Sequence, residues 1–213
     1  IVESNKEVVA RYAAQYHFSM DLVFPTLEEL LKKHKPEVVA AFGNIYDHLG
    51  IVEFCAPRGI HVMVEKPLAV SLAHARKMEQ LAKKHRIHLL TNYETTWYPS
   101  TRQAYNLVTS DSIGPVTSVM VRDGHKGPKN IGVPSEFLQW LTNPELNGGG
   151  AITDFGCYGA NLLTWLFKGK RPMQVQALTR QLQPQNNPLV DDDAVILISY
   201  DSANGLIGAS WNW

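Results

Sequence analysis

Between residues 1 and 92, short apolar runs alternate with amphipathic segments, the pattern of βαβ units built around a parallel sheet. Strand-sized runs fall at Leu22–Phe24, Glu37–Gly43, His61–Val64 and His88–Thr91, and Ile1-Val2-Glu3 reads as the tail of another strand. A 3.6-residue period predicts helices over Asn5–Tyr16, Thr26–His34, Asp47–Arg58 and Ser71–His85. Thr26 precedes a Leu27, Leu30, Leu31 stripe and stands three residues before Glu29, which makes a capping box. Ser71 caps a helix with Leu72, Ala75, Met78 and Ala82 on one face; Lys77, Lys83 and Lys84 fall elsewhere and read as a solvated surface. Together these elements make an incomplete doubly wound parallel sheet.

After Asn92 the pattern changes. A helix is expected from Trp97 to Ser110, a turn at Ile113-Gly114-Pro115, a strand from Val116 to Arg122 and a polar loop from Gly124 to Pro134. Gly148-Gly149-Gly150 then opens a helix reaching about Phe167. Three strands follow, at Met173–Leu182, Ala194–Tyr200 and Leu206–Trp213, and Asn204-Gly205 between the last two is a hairpin signal. The second part is therefore α+β with a mostly antiparallel open sheet, and the boundary is placed near residue 93, giving partial domains over 1–92 and 93–213.

Composition narrows the function. Twenty Lys and Arg balance 20 Asp and Glu among 213 residues and are scattered along the chain, so there is no electrostatic footprint for a nucleic acid or an anionic membrane. The longest apolar runs, such as Val38 to Phe42, are far shorter than the roughly 18 residues needed to cross a bilayer. Cys55 and Cys157 lie on separate expected helices, and the sequence neither supports nor excludes a bridge between them. The ends read as strands cut short, so the chain is expected to be an internal piece of a longer protein. A cytoplasmic location is expected, with export left open.

Several residues are suited to chemistry. Glu3 ends a strand, where dinucleotide-binding sheets hold ribose hydroxyls on a carboxylate; a solvated turn acid is the plainer reading. If Glu3 binds ribose, its charge disfavours a 2′-phosphate, hence NAD over NADP. In Val64-Glu65-Lys66-Pro67 the proline stops the ladder and leaves a cation at the carboxyl end of a strand. Asp154, Tyr158 and Asn161 fall on one face of an otherwise apolar helix, a polar stripe that requires a partner or a ligand. Trp97, Tyr98, Trp140 and the His125-Lys126 loop could offer an aromatic platform with a polar rim for a sugar ring, or could simply be core. Trp211 and Trp213 are expected to pack one sheet face, and Asp191-Asp192-Asp193 to be a solvated run leading into a strand. His85 and His88 lack a third ligand, so no metal is assigned.

The combination is similar to one family. Asn44 and His48 after a strand, Gly59-Ile60-His61-Val62-Met63-Val64-Glu65-Lys66-Pro67, Ile113-Gly114-Pro115-Val116, and Gly148-Gly149-Gly150 leading to Asp154-Phe155-Gly156-Cys157-Tyr158 resemble the glucose-fructose oxidoreductase / inositol dehydrogenase / MocA family along the whole chain. The resemblance implies a Rossmann domain whose first strand and glycine loop lie upstream, followed by an α/β domain whose open sheet often mediates dimerisation, as a dimer or tetramer. It implies an NAD(P)-dependent dehydrogenase acting on a secondary alcohol of a sugar, sugar derivative or cyclitol. Lys66, Asp154 and Tyr158 would be catalytic, with Lys66 lowering the pKa of Tyr158 so that it serves as acid and base. Glu3, Gly43, Asn44, His48, Glu65 and Lys66 would contact the cofactor, although Gly43 replaces the usual proline. Asn161, standing for a common Asp, would contact substrate with Trp97, His125 and Lys126. A redox glycosidase that retains NAD, or a catalytically silent ligand-binding relative, stand as alternatives. Without the phosphate loop, the chain by itself is expected to be inactive.

Overall fold

Asn5 opens the first helix, α1 (Lys6–Tyr16), by accepting the amides of Glu7 and Val8 on its side chain. Thr26 does the same for α2 (Leu27–Lys33), bonding the Glu29 amide at 3.2 Å; removing such a cap typically costs about 1 kcal/mol. A computed structural model describes residues 1–213 and divides them into two units, 1–39 and 40–213. In the smaller unit Val2 forms a single parallel bridge to Phe24. The expected strand Leu22–Phe24 is not formed: Met20–Leu22 is a 3₁₀ turn capped by Ser19, which leaves only Phe24 to pair.

The strand β1 (Val38–Ala41) straddles the division. It begins a three-stranded sheet in the order β1-β2-β3, with β2 at His61–Glu65 and β3 at Leu89–Asn92. The parallel register of β2 and β3 runs from Val62 opposite Leu89 to Glu65 opposite Asn92. Between them lie a short 3₁₀ turn Ile45–Asp47, α3 (His48–Cys55) and α4 (Leu72–His85). Val62 and Val64 are buried, and their neighbours at alternate positions are half-buried, as a period of two requires. Ser71 caps α4, and Arg86 ends it in the left-handed conformation at φ 55°. The peptide between Lys66 and Pro67 is cis.

The helix α5 (Pro99–Thr109) starts later than expected, at Pro99, because residues 94–97 form a separate 3₁₀ turn. The strand β4 (Ser118–Gly124) follows. The presumed loop after it holds α6 (Pro128–Ile131), and the stretch beyond folds into α7 (Ser135–Leu141) and α8 (Pro144–Asn147). The expected single helix to Phe167 is two, α9 (Ala151–Asp154) and α10 (Gly156–Leu166), broken at Phe155. Three strands complete the fold, β5 (Gln174–Arg180), β6 (Asp193–Ser199) and β7 (Asn204–Ser210). They form a sheet in the order β4-β7-β6-β5, in which β4 and β7 are parallel and the other pairs antiparallel.

The hairpin between β6 and β7 forms, but Asn204-Gly205 does not make its turn. Tyr200 to Ala203 turn the chain, closed by the Tyr200 amide on the Ala203 carbonyl at 2.8 Å, and Asn204 already pairs with Ser199. The helix α10 lies close on this sheet because Gly159 has no Cβ; one added there would meet the Ile207 side chain at 2.5 Å. Leu163, Ile198, Tyr200 and Ile207 make one apolar cluster of this layer, and Leu141, Ala151, Val190 and Trp211 make another.

Candidate active site

Lys66 stands at the end of β2, with Pro67 preventing the ladder from continuing. Its ammonium pairs with the Asp154 carboxylate and donates to the Asp154 main-chain oxygen at 3.0 Å, joining residues 88 apart in sequence. The helix break makes this possible. The amide of Tyr158, which would bond the Asp154 carbonyl in a continuous helix, turns instead to Phe155 at 3.1 Å. The freed Asp154 carbonyl accepts Lys66 and, at 3.3 Å, the Cys157 thiol. The arrangement thus depends on α9 and α10 being separate, which corrects the single polar face expected over Asp154, Tyr158 and Asn161.

The glycine triplet sets the start of α9. Asp191 accepts the amides of Gly150 and Ile152 on its two carboxylate oxygens at 2.9 and 2.8 Å, and its carbonyl takes the Ala151 amide. A Cβ at Gly150 would collide with that carbonyl. The neighbouring Asp192 is fully buried and accepts the amides of Leu182 and Gln183 at 2.7 Å and the side chains of Asn187 and Asn212. Burial works against its charge, but these donors outweigh it and hold its carboxyl below the ordinary carboxylate range. Asp193 accepts the Ser210 hydroxyl. The acidic run is therefore a set of interior acceptors, not the solvated stretch expected. Its charges are bound by donors that a local reading of the sequence does not bring together.

Trp211 and Trp213 also depart from expectation, because they lie beyond the end of β7 and have different surroundings. Trp211 is fully buried and its indole N–H donates to the Asp154 carboxylate at 2.9 Å. Trp213 is half exposed, with the Arg122 guanidinium 4.8 Å from its ring. Trp140 is half-buried and packs against the Leu141, Ala151, Val190 and Trp211 cluster.

Around the ammonium lies an aromatic lining. The Lys66 nitrogen is 5.0 Å from the Tyr158 ring centre and 5.8 Å from that of Phe155. Tyr93 meets Tyr158 edge-on at 6.3 Å, and His125 meets Phe155 edge-on at 4.9 Å. Burial holds Lys66 back from charging, but Asp154, followed by Cys157 and Glu65, raises its pKa above the usual lysine value. Tyr158 moves the opposite way from the expectation. Burial first, then the negative charge of Glu94, pushes its hydroxyl well above the ordinary phenol range. The Lys66 charge faces the ring and is already paired with Asp154, so it does not produce a phenolate. Tyr158 is a neutral phenol in this arrangement. Burial likewise lifts Tyr93 and Cys157 to about 12, and raises Asp123, which lies within the electrostatic reach of Lys66.

The remaining predicted residues are placed as follows. Glu65 accepts the Asn92 side chain at 3.0 Å across the parallel sheet. The side chain of Asn44 is engaged with Asp47, capping the 3₁₀ turn, next to an unobstructed Gly43. His48 is fully buried; its Nδ1 bonds the Leu68 carbonyl at 3.1 Å and its Nε2 has no partner. Burial lowers its pKa, so it is a neutral ring with Nε2 as a free acceptor. The polar stripe on α10 finds one partner within the protein, since Asn161 donates to the Thr96 hydroxyl at 2.9 Å. Trp97 is 71% exposed and Lys126 is exposed. His125 uses its Nδ1 to accept the Gly127 amide. In the smaller unit the exposed Glu3 carboxylate accepts the Asn5 amide at 2.8 Å.

Residues 1–93 match the model of the oxidoreductase family with an NAD-binding Rossmann fold, and residues 101–213 match the GFO/IDH/MocA C-terminal domain. The chain belongs to the GFO/IDH/MocA oxidoreductase family. Its relatives include trans-1,2-dihydrobenzene-1,2-diol dehydrogenase of Xenopus laevis, 29% identical over 169 residues, which cover 79% of this chain and 48% of that protein. The Homo sapiens protein of the same name is 25% identical over 191 residues, covering 90% and 53% respectively. The chain thus spans about half the length of the curated relatives it matches. Among solved structures, GenD2 from gentamicin A biosynthesis in complex with NAD is 28% identical with a TM-score of 0.86, covering all of this chain and 58% of that one. Aldose-aldose oxidoreductase from Caulobacter crescentus, complexed with glycerol, is 25% identical with a TM-score of 0.82, covering 99% and 62%. No helix of this GFO/IDH/MocA member is long and apolar enough to cross a membrane.

Proposed function

We propose that the protein is a dehydrogenase that moves hydride between NAD and a secondary alcohol of a sugar, diol or cyclitol. The observation that carries this reading is the ammonium of Lys66, fixed by Asp154 at the end of a parallel strand and lying over the ring of Tyr158. The residues suit the nicotinamide end of the cofactor. The neutral His48 carries a buried acceptor without a partner, and a lysine ammonium has three donors, of which Asp154 takes two. Bound NAD would supply the hydride acceptor, or donor in reverse. Glu3 is our candidate for favouring NAD over NADP.

The protein's own residues supply field and proton. The third N–H of Lys66 would donate to the substrate oxygen as alkoxide character develops, in a site already shielded from water. Because Tyr158 is held neutral, its hydroxyl would give a proton to the carbonyl oxygen during reduction and be reprotonated from solvent; in oxidation it would first lose that proton to solvent and then take the proton of the alcohol. The substrate contacts would come from Trp97, His125, Lys126 and Asn161, with Asn161 already anchored by Thr96. We further propose that the functional division lies near residue 93. Exposed Met120, Leu178, Val195 and Leu197 on the four-stranded sheet support a homo-oligomer, which light scattering of the intact protein would test.

The decisive experiment is nicotinamide reduction by the intact protein across aldoses, polyols, inositols, diols and glycosides, beside a Tyr158→Phe variant. Turnover that falls by about 10²–10⁴-fold in the variant supports the reading. Turnover unaffected by the variant would remove Tyr158 from the mechanism. Bound NAD without net reduction, accompanied by glycoside cleavage, would replace the dehydrogenase by a redox glycosidase.

A further inference from the structure

We infer that Trp211 is a positioning residue: its indole N–H orients the Asp154 carboxylate and, through it, holds the ammonium of Lys66 in place for the reacting oxygen. The catalytic part of this inference rests on the dehydrogenase reading above; the effect on the ammonium does not.

The carboxylate of Asp154 is bound from two sides. One oxygen pairs with Lys66 and the other accepts the Trp211 N–H at 2.9 Å. Trp211 comes from the segment after β7, 57 residues away, and is fully buried. Its indole has a single donor and no acceptor, so in the interior that N–H must find an oxygen. Asp154 is the one it meets. The placement of Trp211 is itself held, because its amide bonds the Asp192 carbonyl at 2.8 Å and its ring packs with Leu141, Ala151 and Val190. The fully buried Asp192 thus fixes the base of the tryptophan, the tryptophan fixes the carboxylate, and the carboxylate fixes the cation.

The consequence falls on the orientation of Lys66. With Asp154 free to rotate about its side chain, the ammonium would keep an opposite charge nearby but lose a defined direction for its third N–H. Near-attack geometry, more than binding, would suffer. The groups facing the Lys66 charge are Asp154 and Cys157 from α9 and α10, Glu65 from its own strand, Asp123 from β4 and the ring of Tyr158. Among these, Asp154 is the one Trp211 touches.

The test compares intact wild-type protein with Trp211→Phe, which keeps an aromatic ring but removes the donor. In a second variant Trp211 is replaced by its benzothiophene analogue, in which sulfur stands for N–H and the shape is retained. Three readouts are expected to change together. In protein with ¹⁵N-labelled lysine, the buried pair should give the wild-type Lys66 Nζ a slowly exchanging resonance, and this broadens or disappears in both variants. The kcat falls about 10–100-fold while KM stays within about threefold, as loss of a hydrogen bond to a charged group expressed in the transition state requires. Because Asp154 holds the Lys66 pKa up, loosening the pair moves the alkaline limb of the kcat profile to lower pH. An unchanged Lys66 resonance in the benzothiophene variant overturns the inference. So does a kcat loss that follows the fall in melting temperature with the alkaline limb unmoved, since that would be a packing role alone. If wild type reduces no nicotinamide on any substrate, the dehydrogenase reading fails, and the Lys66 resonance still decides whether Trp211 holds the cation.

Discussion

Two lysine–carboxylate pairs in this molecule share the same chemistry and differ in almost everything else. Lys83 and Glu79 sit one turn apart on the outer face of α4, at 2.5 Å, with side chains 75% and 60% exposed. Lys66 and Asp154 join a strand end to a helix end, with side chains 16% and 9% exposed. The surface pair is local, screened by water and easily remade. The buried pair must offset the desolvation of both ions, and it does so only because further donors and acceptors complete the shell: Trp211 on the carboxylate and the Asp154 carbonyl on the ammonium. A buried ion pair contributes little net stability of its own; what this one does is fix a charge at one place in the interior.

That contrast can be broken most severely from the cation side. Lys66→Met should abolish nicotinamide reduction by about 10³-fold or more. By leaving Asp154 buried and unpaired, it should also destabilise the fold by about 3–5 kcal/mol in urea titration. Next in size comes Asp192→Ala, which takes the acceptor from the Leu182 and Gln183 amides and from the buried Asn187 side chain, leaving Asn212 only its bond to the main-chain carbonyl, and should cost about 3 kcal/mol. The same residue gives a pH signature. Its folded pKa is depressed, so the stability it supplies is complete above the unfolded carboxylate value of about 4 and is lost as the pH falls through the lower folded value. Denaturation midpoints of wild type and Asp192→Ala should therefore converge at acid pH. Tyr158→Phe should affect activity by the large factor given above while shifting the melting temperature by no more than a few degrees, since its ring keeps its packing. At the small end, Glu79→Ala should leave both activity and melting temperature unchanged. A measurable loss there would mean that the two pairs are less different than their surroundings imply.

The sequence pattern made much of this site visible, and its failures have a common cause. Lys66 was evident because a proline after a strand-end cation is a local signal, and Asp154 and Tyr158 because their spacing stands out against apolar neighbours. The break at Phe155 was hidden, because Gly156 and Gly159 each weaken a helix by only about 1 kcal/mol and helices of this length often carry such a glycine without breaking. The Asp191–Asp193 run was misread because its partners are 5 to 41 residues away; a charged run without those donors in view looks solvated. The bond from Trp211 to Asp154 likewise pairs two residues that no periodicity connects. At Asn204-Gly205 the hairpin was real but shifted: the turn closes at Ala203 and the glycine serves the close approach of Leu163. Local chemistry was legible, whereas the acceptors and donors brought together by the α+β layer were not.

The left-handed Arg86 at the end of α4 has a practical consequence. A side chain there carries a steric cost that glycine avoids, and Arg86 is exposed and outside the Lys66, Asp154 and Tyr158 cluster. Arg86→Gly therefore offers a route to a hardier protein for preparative use, with about 0.5–1 kcal/mol to be gained from relieved strain. Such a background would let damaging substitutions at Lys66, Asp154 and Tyr158 be studied in protein that still folds.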